Sequence, residues 1–206
     1  MIRAGTMEEL HSDQTDWVFA DVGFAQKKAS CGLIIGDSEP AEICFSELGA
    51  KLAQLAAADR GNGRPLSLII EAPLSVAFTR DGNPTGRSFE RRSLGKVAET
   101  RYWYLGLGCC VLVAATYIMR QLAETKPQVE VRLFEGFASF KTKGERSSHA
   151  GDVRRLRQLL REYPHCEAGT IFPPDQLRCS PDDRIESAFA VAKMDFGVPP
   201  VLVLSD

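Results

Sequence analysis

The chain has 206 residues, with 25 basic and 27 acidic side chains and a formal net charge of -2. A hydrophobic fraction of 44% suffices for a real core and excludes a disordered chain. The near-neutral balance excludes a uniformly basic nucleic-acid binder, so any such role must rest on local patches.

The length suits a single domain over 1–206, with a loop insertion at about 75–95. Of the six cysteines none forms a C-x-x-C pair, and His165-Cys166 with Cys179 matches no four-ligand zinc pattern. The N-terminus carries Glu8, Glu9 and Asp13 where a signal peptide has a basic and then an apolar stretch, so the cytoplasm is the expected compartment. The uncharged stretch 103–119 is at the short limit for a membrane span and contains Gly106, Gly108 and Thr116. A buried core helix is expected there, without membrane association.

Residues 1–15 are polar and expected to be loose. The segment 17–24 reads as a first strand, 30–35 as a second and 41–45 as a third, joined by short turns at Lys27-Lys28 and Gly36-Asp37-Ser38. Ser46 is a candidate cap for a helix carrying Leu48, Leu52, Leu55 and Ala56 on one face, ended by Gly61-Asn62-Gly63. Leu66-Ser67-Leu68-Ile69-Ile70 is an almost continuous apolar run, the pattern of a strand buried on both faces, and it ends in Glu71 before Pro73. A loop with Arg80, Arg87, Arg91 and Arg92 follows, then a long helix over 96–124 and a fifth strand over 129–134 that ends in Glu135. A basic segment with Lys141, Lys143 and Arg146 leads to a helix over 152–162, and Ser180-Pro181-Asp182-Asp183 is expected to open a last helix with Ile185, Ala188, Phe189 and Ala192 inward.

The order of three antiparallel strands, helix, strand, helix, strand and helices predicts an α/β fold. Its mixed five-stranded sheet has the first strand beside the fourth and helices flanking it. Under that topology Asp21 and Glu71 leave neighbouring strands, and Asp183 and Glu186 project from one helix face. Carboxylates brought together in this way repel unless they share a cation or a proton. They suit Mg2+ or Mn2+, which prefer hard oxygen ligands. Two such ions roughly 4 Å apart can activate water and stabilise a leaving oxygen in phosphodiester cleavage. Each acid also fits an ordinary structural role: Asp183 as a cap, Asp21 as a turn residue before Gly23, and Glu71 as partner of a loop arginine.

Asp21-Val22-Gly23, Glu71-Ala72-Pro73-Leu74-Ser75 and Asp183-Arg184-Ile185-Glu186-Ser187-Ala188-Phe189-Ala190 resemble motifs of the ribonuclease H-like superfamily. The last is similar to the D-x-x-D-A-x-x-A helix of RuvC-type Holliday junction resolvases. The overall run resembles a family of uncharacterised proteins predicted to be ribonuclease H-like nucleases. That family has I-D-A-P-L at the fourth strand, where this chain has Glu71 for the aspartate, and a proline turn after the fifth strand that is missing after Glu135.

The resemblance implies a divalent-metal-dependent nuclease. Asp21, Glu71, Asp183 and Glu186 would be its catalytic acids, the first three of them metal ligands, with Glu135 and Asp182 as further candidates. Lys27, Lys28, Arg80, Arg87, Arg91 and Arg92 would contact DNA or RNA, and a homodimer is an assembly to test. Two other readings stand beside it: a non-catalytic ribonuclease H-like binding module, and a nucleotide-binding phosphotransferase of the actin and sugar-kinase type. The latter lacks a glycine-rich phosphate loop here.

Overall fold

The computed structural model describes residues 1–24, 29–58, 63–94, 97–100, 107–138, 148–167 and 169–204. In chain order the strands are β1 (Ile2–Ala4), β2 (Asp16–Asp21), β3 (Cys31–Ile35), β4 (Ala41–Ile43), β5 (Leu66–Glu71), β6 (Ser75–Phe78), β7 (Pro84–Thr85), β8 (Arg91–Leu94), β9 (Val97–Thr100), β10 (Val131–Phe137), β11 (Gly169–Phe172), β12 (Arg184–Ser187) and β13 (Val201–Leu204). The α-helices are α1 (Phe45–Ala57), α2 (Leu107–Glu124) and α3 (His149–Glu162).

One mixed sheet runs β11-β13-β10-β5-β2-β3-β4, with β1 also on β10. β2, β3 and β4 form the expected antiparallel meander, and β5 and β10 run parallel to β2. The parallel pairs follow from helical crossovers: α1 joins β4 to β5, and α2 lies between β5 and β10. Strand alternation divides the core. Val18, Ala20, Leu66, Leu68 and Ile70 face α1 and α2, in a cluster with Leu48, Leu52, Ala115, Ile118 and Met119. Phe19, Ile34, Ile69 and Phe134 face α3, packed on Val153, Leu156 and Leu159. Among the described residues no helix is long and apolar enough to cross a membrane.

Several expectations are corrected. The first fifteen residues are not loose, since β1 pairs in parallel with β10. The segment 75–95 is not a loop. Its β6 pairs with β7 and β12 in a small second sheet, and β8 pairs with β9. The expected long helix over 96–124 is α2 over Leu107–Glu124 among the described residues, and 97–100 is strand. The helix after β4 is capped by Cys44, whose backbone N–H donates to the Glu47 carboxylate at 2.9 Å, two residues before the expected Ser46. The last helix is absent: Arg184–Ser187 is β12, antiparallel to β6. Its cause is local. The Asp183 carboxylate takes the amides of Cys179 and Ser180 at 3.2 and 2.9 Å, closing a turn instead of starting a helix.

Candidate metal centre

The site is built on one row across four strands. Gly32 of β3 pairs with Asp21 of β2, Asp21 with Glu71 of β5, and Glu71 with Gly136 of β10. All four positions belong to the α3 face of the sheet. The two glycines let the helix approach. A Cβ on Gly32 would stand 2.2 Å from the backbone carbonyl oxygen of His149, and one on Gly136 would stand 2.8 Å from Leu156 Cδ1. The two acids occupy the middle, where parallel strands hold neighbouring backbones about 4.8 Å apart.

The approaching helix supplies the third acid. Ser148 caps α3, its hydroxyl accepting from the Gly151 amide at 3.0 Å, and Asp152 follows in the first turn. Asp152 lies on the same stripe as Leu156 and Leu159, and all three are buried. Asp21, Glu71 and Asp152 each offer an oxygen, and these atoms all lie within 4.8 Å of one another. His149, at the start of the same helix, places Nδ1 2.7 Å from Asp21 Oδ2. The Glu71 carboxylate also accepts from the Ala138 amide at 3.3 Å. Beside the site the buried Cys31 thiol donates to the Gly23 carbonyl at 2.8 Å, and burial pushes it up to about 11, so it stays a neutral thiol.

Three hard oxygen donors converging from two strands and a helix N-terminus suit Mg2+ or Mn2+. The donor set lacks the sulfur and nitrogen majority of a structural zinc site. The Asp21–His149 contact fixes the carboxylate's orientation, as outer groups around metal ligands commonly do. An ionised Asp21 only accepts hydrogen bonds, which assigns the proton to Nδ1 and leaves Nε2 as the basic nitrogen of His149.

Of the expected acids, the structure brings together Asp21 and Glu71. Asp183 is engaged in its turn, Asp182 is exposed beside it, and Glu186 is an exposed residue of β12 facing Arg184 at 3.5 Å. Glu135 is adjacent to Gly136 and so belongs to the opposite face of β10 from Glu71. It is fully buried and accepts from the amides of Leu74 and Ser75 at 2.9 and 3.2 Å. None of these four joins the acidic group.

Arg87, expected at a nucleic-acid surface, is 1% exposed. Its guanidinium reaches both Glu135 oxygens at 2.7 and 2.8 Å, Ser75 Oγ at 2.8 Å and Glu90 at 3.0 Å, and it lies over the Phe89 ring at 4.6 Å. A buried guanidinium keeps its charge only with such partners, so Arg87 is structural. Burial raises the Glu135 carboxyl above its ordinary range, with Arg87 pulling against it. Arg80 is exposed on the β6–β7 turn. Lys27 and Lys28, the basic segment 141–146, and the side chains of Arg91 and Arg92 lie outside the described residues.

Sequence reasoning missed Asp152 and His149. The available signal was an acid standing on the apolar stripe of a helix that follows the fifth strand, with histidine three residues before it on the same face. No family model, curated protein or solved structure matches this chain.

Proposed function

We propose that the chain is a divalent-metal-dependent nuclease of the ribonuclease H-like kind, with Asp21, Glu71 and Asp152 as its metal-holding acids. The observation that carries the reading is the convergence of those three carboxylates at the carboxyl ends of two central parallel strands. The placement of β2 inside the sheet, beside β5 and antiparallel to β3, supports it, being the arrangement the order of elements predicts. So does the placement of the third acid on the helix that follows the fifth strand of that core.

Asp21, Glu71 and Asp152 would hold Mg2+ or Mn2+ through their carboxylate oxygens. A bound ion supplies charge neutralisation at the phosphate and a more acidic water. Asp21 and Glu71 are presented by strands that cannot move apart without breaking the sheet, which keeps the site geometry tight. His149 steadies Asp21 and offers Nε2 to a proton leaving the attacking water. The substrate is DNA or RNA.

The test is a cleavage panel of single-stranded, duplex and branched DNA and RNA, run with Mg2+, with Mn2+ and with chelator. Cleavage that needs the metal and disappears in Asp152→Asn supports the reading. Cleavage by none of the metal-loaded reactions turns the reading toward a non-catalytic module.

A further inference from the structure

A second feature lies at the opposite end of β2 from the acids. Asp16 and Asp21 bound the strand, which puts the two ends about 17 Å apart at roughly 3.3 Å per residue. There the N-terminal 3-10 turn, the start of β2, the β3–β4 turn and the C-terminal half of α3 enclose a cleft of about 610 Å³. That volume is in the range of small-molecule sites.

Its walls combine two chemistries. Trp17, Leu10 and Leu160 supply apolar surface, and the rings of His11 and Tyr163 stack on its rim with centroids 5.7 Å apart and planes 27° from parallel. Arg157 and Arg161 from α3 supply positive charge. The half-buried Arg157 donates to the Ser38 carbonyl at 2.8 Å, and among the described residues no carboxylate lies within ion-pair distance of it. Arg161 pairs with Asp37, whose side chain is 93% exposed. Such an exposed pair contributes little and exchanges readily. Of the other two acids of the cleft, Asp16 is 3.5 Å from Arg64, and Asp13 is exposed.

A guanidinium that has spent one N–H on a carbonyl has N–H donors left for a carboxylate or a phosphate. Beside it Trp17, which packs on Phe19 and Phe134, and Tyr163, which packs on His11, are half-buried and keep part of their ring surface for a flat ligand. We propose that this cleft binds a small molecule carrying a planar aromatic ring and one anionic group, the ring against Trp17 and Tyr163 and the anion at Arg157. A mononucleotide and an aromatic carboxylate both have this chemistry. The site is independent of the acids and of any nuclease activity.

The test is calorimetric titration of the full chain, in chelator, with AMP and indole-3-acetate as ring-bearing anions. Adenosine and indole serve as ring-only controls and inorganic phosphate as the anion-only control. Saturable binding of AMP or of indole-3-acetate is expected, the tighter of the two naming the source. The controls should bind about tenfold more weakly or worse, and Arg157→Gln should weaken the anion by a similar factor, as expected for loss of a charge-assisted hydrogen bond. Tyr163→Leu should weaken it through the ring, and Asp21→Asn should leave it unchanged. Circular dichroism checks that each variant is folded. The proposal is overturned by the absence of saturable binding of both anions up to about 1 mM, a weak-ligand ceiling. It is equally overturned by controls that bind as well as the anions, by an unaffected Arg157→Gln, or by binding that vanishes in Asp21→Asn.

Discussion

Asp21 and Glu71 are register partners on adjacent parallel strands, each at the carboxyl end of a buried run, 18–20 in β2 and 66–70 in β5. The register fixes both side chains on one face of neighbouring strands, so the two charges stay close. A fold that keeps two negative charges in this position gains most when a cation lies between them. Removing one charge should therefore relieve the metal-free protein. Asp21→Asn is expected to melt at the same temperature as the parent or a few degrees higher, a shift of about 1 kcal/mol. Calorimetric melting in chelator checks this, and a clear drop in melting temperature would mean that Asp21 serves the fold.

The third acid separates two assignments. Asp152→Asn should abolish metal-dependent activity with the fold intact, because asparagine fits the helix start but lacks an anionic oxygen. Asp183→Asn should keep activity, because its amide oxygen can still accept from Cys179 and Ser180. It should cost at most about 1 kcal/mol in urea unfolding. Reversal of the two activity results would return the site to the Asp183 turn.

Asp21 and Glu71 were legible because a buried strand rarely ends abruptly in an acid unless that acid has a task. Asp152 was not, because an acid in the first turn of a helix is ordinary for dipole reasons and draws no notice. What distinguishes it is burial against β2, a contact between segments far apart in the chain. Arg87 failed for the converse reason. An arginine among glycines and prolines reads as exposed, and its burial is made tolerable by Glu90 three residues on together with Glu135, 48 residues away. Asp183 carried a sound local signal, a carboxylate that accepts nearby amides, but the same signal serves a turn as well as a helix start. The meander and the crossover to β5 followed from turn residues and periodicity. β1, β11 and the β6–β12 pairing depend on edge contacts that local patterns do not encode.

The Arg87 network gives a stability prediction. Arg87→Met leaves Glu135 and Glu90 buried without their cation and should cost about 3–5 kcal/mol in urea unfolding. Arg87→Met combined with Glu135→Leu should cost less than the sum of the single changes, since the orphaned charge is removed as well. Additive losses in the double-mutant cycle would show that Arg87 and Glu135 act separately.

The helix approach gives another. Gly32→Ala sets a methyl against the His149 carbonyl, which is backbone and cannot swing aside. The first turn of α3 should lift, carrying Asp152 away from Asp21. Metal affinity should fall by about tenfold or more, while circular dichroism changes little. Unchanged affinity would mean that the helix start is not held by this contact.

A pH prediction concerns β1. Arg3 holds the Glu9 carboxyl below its ordinary value of 4.5. Burial opposes the same effect at Glu130, but Arg3 and Arg132 outweigh it. A depressed folded-state value means that the folded chain binds fewer protons than the unfolded one. The stabilisation is therefore present above about pH 4.5 and lost as pH falls through the lower folded value. These groups are half-buried and keep contact with solvent, so the effect is local and weakened by salt. Hydrogen-exchange protection at Gly5, whose amide donates to the Leu133 carbonyl, should fall between about pH 5 and pH 3, with Phe19 in β2 unaffected. Equal loss at both amides would indicate global acid unfolding.

The central claim is that Asp21, Glu71 and Asp152 together hold a divalent cation. Titration of Mn2+ into the full chain, followed by calorimetry, tests it directly. The expected result is saturable binding by the parent that is lost or weakened by about tenfold or more in each of Asp21→Asn, Glu71→Gln and Asp152→Asn, and is retained in Asp183→Asn and Glu186→Gln. Mn2+ binding that is unchanged across the first three variants would contradict it.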